Sequence, residues 1–297
     1  LSTVLVNNSV ASSNVLDQYV VIGNPIAHSK SPSIHAAFAE QTRQQLAYQR
    51  LMAPLESFVQ TVETFRASGG KGANVTVPFK LEAYALANQP ANQLTPRAAA
   101  AGAVNTLKFE VDHLIGDNTD GIGLVADIMN NAGVPLCGKR VLLLGAGGAA
   151  RGAILPLLEQ QPASLWIANR TLSKAQDLRA IAQQFSPSSV VEVATFEQLS
   201  GPFDVIINAT SASLSDDVPP LPTGIMTSAT LAYDMMYAAT PTAFLRLAHE
   251  WGAVCRDGLG MLVEQAAEAF YLWRGVRPQT EPVLRTLRTE LQAIKPV

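Results

Sequence analysis

From about residue 18 onward, short apolar and β-branched runs alternate with longer stretches in which apolar residues recur every three to four positions. The runs at 19–23 (YVVIG), 47–52 (AYQRLM) and 73–77 (ANVTV) predict strands. Each is followed by a helical pattern, the first from Pro32 and the second through Phe58 and Val62. Strand and helix in alternation predict a mainly parallel sheet with helices on both faces. A hairpin is predicted from 104–110 and 113–116, then a helix over 121–131. A second alternating set has strands at 140–145 (RVLLLG), 164–169 (SLWIAN), 204–209 (DVIINA) and 230–235 (TLAYDM), which predicts a second α/β unit. The last 40 residues read as mainly helical, and their first helix carries two stripes. Leu262, Ala266, Phe270 and Trp273 have core spacing, while Gly258, Met261 and Gln265 form an adjoining line suited to face a cleft.

Length supports the two-unit reading, since 297 residues exceed one domain of roughly 150. The expected division is an N-terminal extension at 1–17, a substrate domain at 18–120 completed by helices at 258–297, and a nucleotide-binding domain at 121–257. The extension is rich in Ser, Asn and Val and has no period. With 48% hydrophobic and 15% charged residues the chain is globular rather than disordered. Twenty-one Lys and Arg against 24 Asp and Glu give no basic excess, which argues against a nucleic-acid partner. Cys137 and Cys255 form no CxxC pair, and no metal-ligand spacing is present. Neither a secretory signal nor a run of about 20 apolar residues is seen, so a soluble, cytoplasmic protein is expected, as a monomer or homodimer.

The most specific motif is Gly145-Ala146-Gly147-Gly148-Ala149-Ala150, between an apolar strand and a helix. Gly145 permits a tight turn, Gly147 lets backbone amides approach a pyrophosphate, and Ala150 allows the helix to pack closely on the strand. The helix N-terminus adds partial positive charge. At the end of the next strand, where an acid would bind the ribose of NAD, stand Asn169, Arg170 and Thr171, with Lys174 one helical step on. A basic pair without an acid predicts NADP.

Ser29 and Ser31 follow the first strand, with Ser31 expected at a helix N-cap and Pro32 at the first helical position. Two hydroxyls at a positive helix end suit a small anion such as a carboxylate. His28 is read as a structural loop residue. Asn74 and Thr76 share one face of their strand. Lys80 falls in a first helical turn, where the dipole disfavours a cation, so its charge is expected to serve proton transfer rather than local stability. Asp120 lies just before a predicted helix and is either an N-cap or the partner of that lysine.

GNPIAHSKSP, GANVTVPFK, AGAVNT, DNTDG, GAGGAA, NRT, NATS, YDMMY and DGLGMLVEQAA occur in an order that resembles the shikimate dehydrogenase family from about residue 18 to the C-terminus. The resemblance implies NADPH-dependent reduction of 3-dehydroshikimate to shikimate, in aromatic amino-acid biosynthesis, by a substrate domain and a Rossmann-type domain separated by a cleft. It implies that Ser29 and Ser31 hold the substrate carboxylate with Tyr237. Asn74, Thr76, Asn105 and Gln265 would surround the ring hydroxyls, and Lys80 and Asp120 would form the catalytic pair. Gly145, Ala146, Gly147, Gly148, Ala149, Asn169, Arg170, Thr171, Lys174, Met235, Gly258 and Met261 would contact the cofactor. Lys174 stands where the family often has arginine, which removes a bidentate fork. The alternatives are a related quinate/shikimate dehydrogenase with relaxed cofactor use and a binding protein without turnover.

Overall fold

The computed structural model describes residues 16–212 and 216–293, so the expected extension, Leu16 and Asp17 apart, lies outside the described residues. The first alternating set runs β1 (Asp17–Gly23), α1 (Ser31–Thr42), β2 (Leu46–Met52), α2 (Phe58–Ala67), β3 (Gly72–Val75) and α3 (Lys80–Ala87). It continues with β4 (Gln93–Leu94), α4 (Pro96–Ala101), β5 (Thr106–Phe109) and β6 (Leu114–Asp117). These strands form one sheet in the order β2-β1-β3-β5-β6-β4. Only β5 runs against the others, so the sheet is mainly parallel. The continuous apolar run of β1 is buried from Tyr19 to Ile22, as an inner strand covered on both faces requires.

α5 (Asp120–Ala126) and a π-helical turn (Asp127–Asn131) lead to the second sheet. Its elements are β7 (Arg140–Leu144), α6 (Gly148–Glu159), β8 (Ser164–Ala168), α7 (Leu172–Phe185), β9 (Val191–Ala194), β10 (Val205–Asn208), β11 (Leu231–Asp234), α8 (Ala243–Glu250) and β12 (Val254–Asp257). All six strands are parallel, in the doubly wound order β12-β11-β10-β7-β8-β9. Leu143, Ile154, Ile167 and Ile207 pack one face, and Leu142, Ile206, Ala232 and Phe244 the other. α9 (Leu259–Arg274) and α10 (Glu281–Ala293) complete the chain. α9 packs against both α1 and α5, and Trp273 Nε1 at its end donates to the Leu107 carbonyl of β5 at 3.0 Å.

Two local expectations change. Ser31 is the first residue of α1 rather than its cap, with Lys30 in the cap position, and Asp120 is likewise the first residue of α5. In both places a side chain two residues earlier accepts the helix's first amide: Ser29 Oγ takes Ser31 N–H at 3.3 Å, and Asn118 Oδ1 takes Asp120 N–H at 3.2 Å. That leaves the Ser31 and Asp120 side chains free for the cavity described below. The helix predicted over 121–131 widens into the π turn at Asp127, whose fully buried carboxylate accepts from Tyr233, Arg256 and Asn131. A Cβ at Gly260 would run into that carboxylate, which accounts for the second glycine of DGLGM.

Candidate active site

A cavity of about 500 Å³, apolar over most of its wall but carrying a cluster of polar side chains, opens where the C-terminal ends of β1 and β3 meet the starts of α3, α5 and α9. The chain arrives there through two crossing loops. Gly23 lies so close to Thr76 that an added Cβ would sit 2.5 Å from Thr76 Cγ2, and Asn24 N–H donates to the Val77 carbonyl at 3.2 Å. Ser29 and Ser31 emerge from the first loop with their hydroxyls 3.2 Å apart. The Arg50 guanidinium, on the edge strand β2, donates twice to the Ser29 carbonyl, at 2.6 and 3.1 Å. Ser29, Ser31, Asn74, Thr76, Asn105, Tyr237 and Gln265 all line the cavity. His28 lines it too, as does Leu262, which also packs against the core formed by α1 and α9.

Lys80 and Asp120 meet across the N-termini of α3 and α5, with Nζ 2.5 Å from Oδ2. The other Asp120 oxygen accepts from Asn105 Nδ2 at 2.8 Å. Asn105 is held in turn by Thr119, whose backbone N–H donates to Asn105 Oδ1 at 2.9 Å, and its amide nitrogen lies 3.4 Å from Gln265 Oε1. The lysine that the dipole of α3 disfavours is thus offset by a carboxylate in the first turn of α5, where negative charge is favoured. Both groups keep contact with the cavity, at 31% and 21% side-chain exposure. A shared, partly exposed proton-carrying pair beside neutral hydrogen-bonding groups can protonate or deprotonate a substrate oxygen.

The second sheet supplies the other wall. Met235, Gly258 and Met261 line the same cavity, and Gly258 approaches the Met235 carbonyl so closely that a side chain there would collide with it. The glycine turn lies at the reversal of strand order between β7 and β10, the usual nucleotide crevice of such sheets. Gly145 has φ +103°, a backbone conformation suited to glycine. At Gly147 and Gly148 an added Cβ meets nothing within 4 Å, so open space lies over the start of α6, beside Ala146 and Ala149. Ala150 is fully buried between α6 and the sheet. Asn169 braces the next strand end through its amide to the Thr171 carbonyl at 2.9 Å. Arg170, Thr171 and Lys174 are exposed, and neither cation has an ion-pair partner among the described residues. Open space over a helix N-terminus with these two cations beside it fits a dinucleotide carrying a 2′-phosphate.

Chemistry rather than size singles out this cavity. A larger one, of about 920 Å³, lies between α8 and α10, but its arginines are engaged: Arg246 with Asp216, Arg256 with Asp127, Arg285 with Glu281 and Arg288 with Asp257. Among the described residues no group of three His, Cys, Asp or Glu side chains could hold a metal, and no helix is long and apolar enough to cross a membrane. Arg50, Asn118 and Thr119 also support the site, though none is among the residues expected from the sequence. The last two lie within DNTDG, where a polar run before a helix was the available signal.

Family models match three parts of the chain: the shikimate dehydrogenase substrate binding domain at residues 21–107, shikimate / quinate 5-dehydrogenase at 127–215, and the shikimate 5'-dehydrogenase C-terminal domain at 258–288. Shikimate dehydrogenase (NADP(+)) of Herminiimonas arsenicoxydans is 61% identical over 94% of this chain and 100% of its own. Among solved structures, an Ael1 enzyme from Pseudomonas putida is 50% identical with a TM-score of 0.85, over 91% of this chain and 98% of its own. Shikimate 5-dehydrogenase from Thermus thermophilus, in complex with NADP(H) and shikimate, is 32% identical with a TM-score of 0.79, over 93% of this chain and 100% of its own.

Proposed function

This chain belongs to the shikimate dehydrogenase family, and from that premise we propose that it interconverts 3-dehydroshikimate and shikimate with NADP, using Lys80 and Asp120 as its acid-base pair. The observation that carries the assignment of the pair is the 2.5 Å contact between Lys80 and Asp120 in a cavity that Ser29 and Ser31 enter from one side and Met235 and Gly258 from the other. The serine hydroxyls, with Tyr237, hold the substrate carboxylate, remote from the reacting carbon. Asn74, Thr76, Asn105 and Gln265 take the ring hydroxyls. Lys80 Nζ holds the proton that the substrate oxygen takes up on reduction and returns on oxidation, while Asp120 orients Nζ and accepts from the neighbouring hydroxyl. The bound nicotinamide supplies or takes up the hydride.

Gly145, Ala146, Gly147, Gly148 and Ala149 receive the pyrophosphate, Asn169 and Thr171 flank the adenosine ribose, and Arg170 with Lys174 binds its 2′-phosphate. Met235, Gly258 and Met261 stand at the nicotinamide end. The substrate unit comprises 18–120 completed by the C-terminal segment 258–297, and the nucleotide unit 121–257. Its setting is the cytoplasm, as a monomer or homodimer that binds no nucleic acid.

The test of the function is a spectrophotometric assay of the purified protein with NADP or NAD against shikimate or quinate. Shikimate with NADP is expected to give the highest kcat/KM; absence of turnover with it would refute the reading. The phosphate assignment has its own test. Arg170→Ala is expected to weaken NADP binding by roughly 1.5 to 3 kcal/mol, the worth of a charge-assisted contact. NAD binding should barely change, as measured by fluorescence titration of both nucleotides. Equal losses for the two would remove the 2′-phosphate from Arg170.

A further inference from the structure

Tyr48, on β2, does not line the cavity, yet its hydroxyl donates to Asn74 Oδ1 at 2.7 Å. Asn74 is 6% exposed, and its amide nitrogen is committed as well, to the Asn105 carbonyl at 3.3 Å and to Thr106 Oγ1 at 3.0 Å. A backbone carbonyl only accepts, so Asn105 decides which end of the Asn74 amide points inward. Tyr48 then occupies one of the two lone pairs of Oδ1 and leaves the other for a ligand. The same hydrogen bonds continue from Thr106 Oγ1 to Asn105 Oδ1 at 2.9 Å and from Asn105 Nδ2 to Asp120. One connected network therefore runs from the Tyr48 phenol to the carboxylate paired with Lys80.

The Tyr48 ring is itself fixed. It stacks on His35 with ring centroids 4.2 Å apart and planes 9° from parallel, and Trp273 lies tilted against it at 6.2 Å. His35 is fully buried, and its ring nitrogens lack a well-formed hydrogen bond, with the Asn74 side chain the polar group beside them. Burial pushes its imidazole down to about 3, so it is a neutral plate under the phenol. Burial likewise pushes the Tyr48 phenol well up, which keeps the hydroxyl a donor.

We infer that Tyr48 is a positioning residue for the substrate site: its hydroxyl clamps Asn74 so that the free lone pair of Oδ1 faces a ring hydroxyl of the substrate. The inference rests on the reading above that Asn74 binds substrate. Replacing Tyr48 by phenylalanine keeps the stack and removes the hydroxyl, leaving a buried amide oxygen short of one partner and ending the phenol's contact with Ser31.

Tyr48→Phe is therefore expected to raise KM for shikimate roughly 5- to 10-fold, the scale of one hydrogen bond, with kcat within about twofold and KM for NADP unchanged. Calorimetric titration of shikimate alone into the folded variant should show the same weakening. In an Asn74→Ala background, adding Tyr48→Phe should cause at most a small further loss, because only the contact of the phenol with Ser31 is left for it to remove. An unchanged KM for shikimate, a parallel rise in KM for NADP, multiplicative losses in the double variant, or a Tyr48→Phe protein that does not fold would each overturn the inference. Wild-type protein is assayed alongside: if it fails to oxidise shikimate, the functional reading falls, whereas normal wild-type turnover with an unaffected variant removes only the role of Tyr48.

Discussion

Lys80→Ala is expected to lower kcat for shikimate oxidation by roughly 10² to 10⁴, the range of a positioned general acid or base, with a much smaller change in KM. The reason is in the contact set. Lys80 Nζ reaches Asp120 at 2.5 Å, and the other Asp120 oxygen is already held by Asn105, so on the proposed acid-base role removing the lysine leaves a preserved pocket without a proton carrier. Because the lysine keeps 31% of its side chain exposed, its pairing contributes little to folding, about 0 to 1 kcal/mol, and the variant should melt close to wild type. Asp120→Asn should lower kcat too. The double variant should fall short of the product of the two losses, since the groups act as a unit. Steady-state kinetics at saturating NADP checks all three proteins; a raised KM with unchanged kcat in Lys80→Ala would make Lys80 a binding group and move proton transfer to another residue.

Asp127→Ala should do the opposite, costing stability far more than chemistry. Its carboxylate is fully buried and accepts from Tyr233 at 2.8 Å, from two Arg256 nitrogens at 2.8 and 2.5 Å, and from Asn131 at 2.9 Å. Tyr233 and Arg256 are register partners on β11 and β12, so one side chain from the π turn ties two neighbouring strands to the connection that carries Asp120. Removing it strands a fully buried phenol and a guanidinium with 24% exposure, and breaking a buried pair in this way typically costs about 3 to 5 kcal/mol. The thermal midpoint should fall by on the order of 10 °C. Asp127→Asn, which keeps one acceptor oxygen for the Tyr233 hydroxyl and Arg256 Nε but loses the charge and the second acceptor, should fall less. A midpoint for Asp127→Ala within about 2 °C of wild type would show that the network adds nothing to the fold.

Much of this architecture is legible in the chain because it is local. β7, the glycine turn and the start of α6 are contiguous, and an apolar run followed by small residues has few other uses. The inner strands β1, β7, β10 and β11 carry unbroken apolar runs because both of their faces are covered. β4, β9 and β12 escaped the reading, and all three are sheet edges. VCRD in β12 is half to fully exposed and QL in β4 is two residues long, so neither leaves a hydrophobic pattern. The helix caps were misplaced by one residue at Ser31 and Asp120 for a related reason. Choosing between a side chain that caps and one that faces a cavity depends on what Ser29 and Asn118 do, and local composition is the same either way.

Two successive α/β units, a glycine turn opening the second, and polar residues that break the apolar runs at strand ends can all be read from the chain alone. Periodicity and turn chemistry encode these features over a few residues. The contacts of Lys80 with Asp120, of Asn105 with Gln265 and of Tyr48 with Asn74 come instead from the way the sheets and helices pack. Those partners lie 40, 160 and 26 positions apart, and no local pattern relates them. They come together because parallel strands align their C-terminal ends along one sheet edge, and because α9 returns from the second sheet to pack on α1 and α5.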